Sequence, residues 1–274
     1  MLAIFKREFK SYFQNVIGWL FVAALLAVYG LYFYVYNLKN GYPYISYDLN
    51  GIGFIMMIAV PILTMRSLSD EKKTKTDQLM LTSPVSVGRI VAGKYFAMAA
   101  VYTIVIALFA LSPLVLSIYG KVALSEAYVA LFGYWLYGLS CIAVGLFISS
   151  ISESVIISAI LTFTALFLSY MMQSITGLIS SSGNLLTKVL NCFDLYTPFE
   201  NFVSGCFSVT SAAYYVTVIL LLCFLTTQSI QKRRWAFSKK MIGTGAFSAG
   251  MIVVMCAILS LIHISEPTRL QLIS

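Results

Sequence analysis

This sequence predicts an all-α, polytopic membrane protein, on three observations. Of its 274 residues, 60% are hydrophobic and only 10% are charged, too little polar surface to cover a water-soluble fold of this size. The apolar residues gather into runs of membrane-crossing length, separated by short polar breaks. The basic residues collect beside alternate runs, so the net charge of +8 reads as topology and headgroup contact rather than as a nucleic-acid footprint. No nucleic-acid partner is expected.

Residues 1–13 place Leu2, Phe5, Phe9, Tyr12 and Phe13 on one helical face and Lys6, Arg7 and Lys10 on the other, the pattern of an interfacial helix lying along the inner leaflet. The first span, residues 16–36, has no charged residue and would reach about 31 Å as a helix. This run is too long for a cleavable signal and lacks a small-residue cleavage site, so it is expected to stay in the mature protein. Tyr29, Tyr32, Tyr34, Tyr36, Tyr42, Tyr44 and Tyr47 gather at its outer end and in the loop beyond, as an interfacial aromatic belt rather than a ligand cage.

The second span, residues 51–68, carries Pro61, which predicts a kink, and Arg66, which must snorkel to the surface. The third runs over residues 95–119 with Pro113 near its outer end, and a turn holding Lys121 and Glu126 leads to the fourth, residues 127–149. Glu153 marks the turn before the fifth span, residues 155–172. Residues 173–211 are rich in Ser and Gly and broken at Asn184, Asn191, Asp194 and Pro198, which predicts short re-entrant or interfacial helices. The sixth span, residues 212–228, ends in Lys232, Arg233 and Arg234, with Lys239 and Lys240 ahead of a seventh apolar segment from Met241.

With the amino terminus inside, 14 bases fall in cytosolic segments: Lys6, Arg7, Lys10; Arg66, Lys72, Lys73, Lys75, Arg89, Lys94; and Lys232, Arg233, Arg234, Lys239, Lys240. Only Lys39, Lys121 and Lys188 fall outside, a strong positive-inside bias. Five cysteines show no metal spacing. Cys141, Cys223 and Cys256 lie in apolar runs, while Cys192 and Cys206 read as free thiols, with pairing outside the cell as the alternative.

Residues 259–269 read LSLIHISEPTR, the in-frame translation of a transposase sequencing adapter, and Ile273 and Ser274 fit its resumption after a short index. Residues 259–274 are therefore expected to be read-through, with the natural chain continuing differently after Ile258. The single histidine, His263, falls inside this stretch and carries no chemistry.

Two motifs bear on the energy source. Residues 88–95, GRIVAGKY, match a phosphate-binding P-loop except that Tyr95 stands where a Ser or Thr should ligate magnesium, and the stretch leads into a span rather than a soluble helix. It is read as a decoy, so no nucleotide site, no cofactor and no enzymatic activity is expected of the chain itself. No Asp, Glu, Lys, Arg or His falls in the middle of a proposed span, although proton-coupled carriers keep such groups there. Carriers that hold sodium with carbonyls and hydroxyls escape this argument.

The longest charged interruption, residues 68–94, opens with Asp70, Glu71, Lys72, Lys73 and Lys75, passes a helical turn at Thr76 to Leu81, and breaks at Ser83 and Pro84. Thr76 with Leu79, Met80 and Leu81 offers a capping hydroxyl and a small apolar face, suited to docking in a partner's cleft. The alternative is a solvated linker whose charges only fix topology.

The basic amphipathic start, this loop (DEKKTKTDQLMLTSPVSVGRIVAGKYFA), and a late LYTPFENFVSG before a span ending QKRRW together resemble the type 2 ABC exporter permeases (ABC-2 type), in particular the GldF-like gliding-motility group. The resemblance covers residues 1–235. Family members carry a glutamate-rich turn, then Gly-Thr-Glu and a leucine pair ahead of Ser-Pro-Val-Ser. Glu71, Thr76, Asp77, Leu79, Leu81, Ser83, Pro84, Val85 and Ser86 fill most of those places, with Lys75 standing for the family glycine and Asp77 for the glutamate.

The resemblance implies a six-helix permease half in a bacterial inner membrane, with the N-terminus cytoplasmic. It implies a second permease chain, two ABC ATPase subunits and an ATPase-coupling loop formed by Glu71, Thr76, Asp77, Leu79, Met80, Leu81, Ser83 and Pro84. ATPase closure would push this loop and rock the spans, opening a path lined by spans one, two and five. The run after Lys240 resembles the anchor that begins GldG-like auxiliary proteins, which divides the chain into a permease domain (1–235), the start of an anchor (236–258) and read-through (259–274). An ion-coupled secondary carrier and a non-transporting membrane scaffold are the alternatives, and the sequence assigns no substrate.

Overall fold

Backbone that crosses hydrocarbon must satisfy its own hydrogen bonds, and helices do so without a neighbour. The computed structural model describes residues 1–75, 86–120, 122–179 and 193–232, and among these residues it contains helices and turns but no strand. The first helix, α1 (Leu2–Gln14), ends at Asn15, whose extended backbone turns the chain into α2 (Val16–Phe33). At that corner Gly18 lies against the Tyr12 backbone carbonyl, too close for any Cβ. Past Phe33 the helix widens to i→i+5 hydrogen bonding over Tyr34–Lys39.

The return path is segmented into α3 (Ile45–Ile52), a 3₁₀ turn (Gly53–Ile55), α4 (Met56–Thr64) and α5 (Ser69–Lys73). There follow α6 (Val87–Phe109), α7 (Ser112–Tyr119), α8 (Leu124–Ile151), α9 (Val155–Ile179), α10 (Thr197–Val203) and α11 (Val209–Lys232). By length and composition, six helical stretches among the described residues can cross a membrane: Val16–Lys39, Ile45–Lys73, Val87–Tyr119, Leu124–Ile151, Val155–Met172 and Val209–Gln231.

These are the six spans expected, with shifted edges. The second starts at Ile45 rather than 51, because Asp48 is paired with Asn37 instead of standing in water. The third starts at Val87 rather than 95, because the Lys94 ammonium is neutralised inside the fold. Pro61 lies within α4, and the loss of regular helix comes upstream at Gly53–Ile55, where Gly53 passes under the Tyr196 ring. The third span breaks between α6 and α7, with Pro113 in the first turn of α7, where a missing N–H costs nothing. The fifth helix continues to Ile179, past the expected end at 172. The seventh apolar segment and residues 259–274 lie outside the described residues.

The central element is α8, which packs against α3, α4, α6, α9, α10 and α11. In lipid, close approach and interhelical hydrogen bonds hold helices together, since hydrocarbon is as apolar as they are. Gly138 admits the Tyr102 ring and Gly145 admits Thr64, both too near for a side chain. Across the same seam the Tyr102 hydroxyl donates to the Tyr134 carbonyl at 2.8 Å and the Tyr95 hydroxyl to the Leu139 carbonyl at 3.2 Å.

The DLYTPFE stretch closes the end of the bundle away from α1. The Asp194 carboxylate accepts from the Tyr196 N–H at 2.9 Å and the Thr197 N–H at 3.0 Å, setting the start of α10. The Tyr214 and Tyr215 hydroxyls of α11 donate to the carbonyls of Asp194 and Leu195 at 3.0 and 2.7 Å. Phe199 is fully buried between Tyr134 and Tyr137 of α8, with ring centroids 5.8 and 5.7 Å away.

Helix α1 packs on protein along one side. Phe9, Tyr12 and Phe13 pack on the core, and Ile4 lies over Gly93 of α6, whereas Leu2, expected on the same face, is exposed. Phe5, Phe9, Phe13 and Trp19 form a ladder of rings with centroids 5.8, 5.0 and 5.5 Å apart. Lys6, Arg7 and Lys10 face outward.

Candidate functional site

The charged interruption between the second and third spans begins on α5, and its first residues are tied down strongly. The turn before α5 leaves backbone N–H groups without intrahelical partners. Ser149, near the end of α8, fills that need: its hydroxyl accepts from the N–H groups of Leu68 and Ser69, both at 3.1 Å. Lys72 donates its ammonium to the Ser150 carbonyl, one of the orphan acceptors at the α8 terminus.

Beside this anchor lies an ion cluster. The Lys94 side chain is 2% exposed, and its Nζ lies 2.6 Å from Glu71 Oε1 and 3.3 Å from Glu8 Oε1. It also donates to the Ser67 carbonyl at 2.9 Å. Arg7 Nη2 lies 2.7 Å from the same Glu8 oxygen, and that bond holds the Arg7 guanidinium above its ordinary pKa. Two cations and two anions thus join α1, α5 and α6 in one neutral cluster. An ammonium buried alone would cost several kcal/mol, roughly what removal of a partner exposes; here two carboxylates and a carbonyl replace its water.

The chain leaves α5 through Lys75, whose φ of +56° is in the left-handed region. That backbone suits glycine and costs a residue with a Cβ about 1 kcal/mol. Lys75 is the position where the resemblance expects glycine, the residue that this backbone suits. Lys75→Gly should therefore stabilise the helix end by roughly 0.5–1 kcal/mol, seen as slower hydrogen exchange at the amides of α5. Unchanged or faster exchange would show that the left-handed conformation is not held in the membrane.

Of the residues singled out for coupling, Glu71 sits in this cluster. Thr76, Asp77, Leu79, Met80, Leu81, Ser83 and Pro84 lie outside the described residues. Sequence reasoning missed Lys94, Glu8 and Ser149. A lone lysine inside VAGKYFAMAA was a signal for Lys94, but its partner acids are distant in sequence. The GRIVAGKY stretch is continuous α6, so its backbone N–H groups are directed along a helix and form no phosphate cradle.

Among described residues no group of three or more His, Cys, Asp or Glu is placed to hold a metal ion. Cys206 is exposed, and its candidate partner Cys192 lies outside the described residues. No curated protein matches the sequence. Residues 32–230, well over half the chain, match the family described as ABC-2 family transporter protein.

Proposed function

The chain belongs to the ABC-2 family of transporter proteins, and from that premise we propose that it is the permease subunit of an ATP-driven exporter, of the GldF-like kind. It carries the translocation path and couples to a separate ATPase subunit through residues 71–84. The observation that carries the coupling reading is the tie between α5 and three other helices: a segment that must transmit force needs a rigid root. Glu71 provides it through Lys94 and Glu8, and Ser149 provides it through two backbone bonds.

Spans one, two and five serve as the path-lining set in this reading, with a second permease chain opposite. In support, α4 packs against both α2 and α9, which puts the three spans side by side. Trp19 and Leu20 of α2, Ile58 of α4, and Ile157 and Leu161 of α9 point away from the bundle. Residues 236–258 would begin a GldG-like auxiliary anchor, and residues 259–274 would contribute nothing.

Affinity capture of the tagged chain from its native membrane tests the class. An ABC ATPase should copurify, and export should stop when its ATP hydrolysis is blocked. Export driven by an ion gradient without any ATPase would favour a secondary carrier, and a complex without transport would favour a scaffold.

The orientation has its own expected result. Single cysteines at Lys73 and at the amino terminus should escape an impermeant thiol reagent on intact cells, and a cysteine at Tyr44, exposed in the loop after the first span, should react. Labelling at 73 but not at 44 would invert the topology.

A further inference from the structure

At the end of the bundle away from α1, a polar pair is buried that coupling to an ATPase does not use. Asn37 is 5% exposed in the widened helical segment Tyr34–Lys39, and Asp48 is 0% exposed in α3. Asn37 donates through Nδ2 to Asp48 Oδ2. The Asn37 amide oxygen, Oδ1, and the other carboxyl oxygen of Asp48, Oδ1, are buried with no hydrogen-bond partner among the described residues. We propose that Asp48 binds a proton and that Asp48 and Asn37 form a latch joining the outer ends of the first two spans, released when the proton leaves.

The argument is a donor count. Two carboxyl oxygens and one amide oxygen face an apolar interior with one amide group as donor. A proton on Asp48 supplies an O–H donor beside the amide N–H groups and removes the charge, and the amide orientation follows whichever oxygen carries it. The charged form would bury a full negative charge on a single hydrogen bond, which is costly unless the charge is paired.

Among the described residues no cation is paired with Asp48. The ionisable groups on elements packed against α3 are Tyr29 and Tyr32 of α2, Tyr34, Tyr36 and Lys39 after it, Glu126, Cys141 and the tyrosines of α8, and Glu200 of α10. Of these, Tyr29 is a group that Asp48 acts on electrostatically, and its phenol is bonded to Ser112.

The sign follows from linkage. In the open state a hydrated Asp48 loses its proton near pH 4, whereas the latched state keeps it, so rising pH favours opening by up to tenfold per unit. The full chain in lipid nanodiscs provides the test, by thermal unfolding between pH 5.5 and 8.5 in the presence and absence of sodium or potassium. Wild type should lose stability as pH rises. Asp48→Asn, which mimics the neutral acid, should match wild type at low pH and lose that slope. Equal slopes in both would overturn the proposal, as would stabilisation of wild type by sodium or potassium that Asp48→Asn abolishes, since a cation would then occupy the site. Should Asp48→Asn fail to fold, infrared spectra of wild type decide the matter: a protonated carboxyl stretch at pH 7 that disappears on alkalinisation supports the latch, and its absence at pH 7 sinks it.

Discussion

Lys94→Met should insert normally and still lose ATP-dependent transport by at least tenfold. The methionine fills much of the lysine's volume, so the loss is one of charge: Glu8 and Glu71 are left close together without the ammonium that both contact. Removing one partner from a buried ion group costs about 3–5 kcal/mol. The lower end applies here, since the Glu8 and Glu71 side chains are 15% and 20% exposed and water can reach them. Repulsion between the two carboxylates should part α5 from α1 and leave the loop that α5 begins without its root. Adding Glu71→Gln and Glu8→Gln to Lys94→Met should restore thermal stability, because the one charge left, Arg7, is 64% exposed and solvated, without restoring transport, because no strong tie remains. Lys94→Arg should recover transport in part, as the guanidinium keeps the charge in a different shape. Wild-type transport and stability in Lys94→Met would show that the cluster neither holds nor transmits anything.

The six spans were readable from the sequence because each is a long apolar run whose length alone selects a helix, and because the bases mark alternate ends. The DLYTPFE stretch was readable as a break but not as a lid, since Asp194 and Pro198 announce a short helix while the buried contacts of Phe199 depend on α8. Charged residues were the hard part. A rule that keeps charge out of hydrocarbon put Asp48 in an outer loop and Lys94 at a helix entrance. Both are instead inside helices, held by partners that no local pattern announces: Asn37 across a loop for Asp48, and Glu8 from the far start of the chain for Lys94. Lys75 is the converse case, where a left-handed backbone carries a side chain that nothing in its sequence gives reason to place there.

Replacing Leu79 and Leu81 together with Asp should leave insertion and topology intact, release the ATPase and abolish export. Both residues lie outside the described residues, in the polar stretch between the candidate spans that end at Lys73 and begin at Val87, so neither flanking span is altered. The expectation rests on how a short helix binds a cleft: a few apolar anchors supply most of the affinity, and charged flanks add orientation. Two carboxylates in a dehydrated cleft would remove those anchors and bury unpaired charge. Lys73→Gln is the matched control, because Lys73 is exposed at the end of α5 and a surface charge there contributes little. The two readouts separate docking from transmission. Lys94→Met should keep the ATPase bound while transport fails, since it loosens the root of the loop and leaves its tip unchanged. The Leu79 and Leu81 variant should lose both together. A Leu79 and Leu81 variant that still copurifies with its ATPase and exports at the wild-type rate would remove residues 76–84 from the coupling path, and the loop would then be a solvated linker whose charges fix topology.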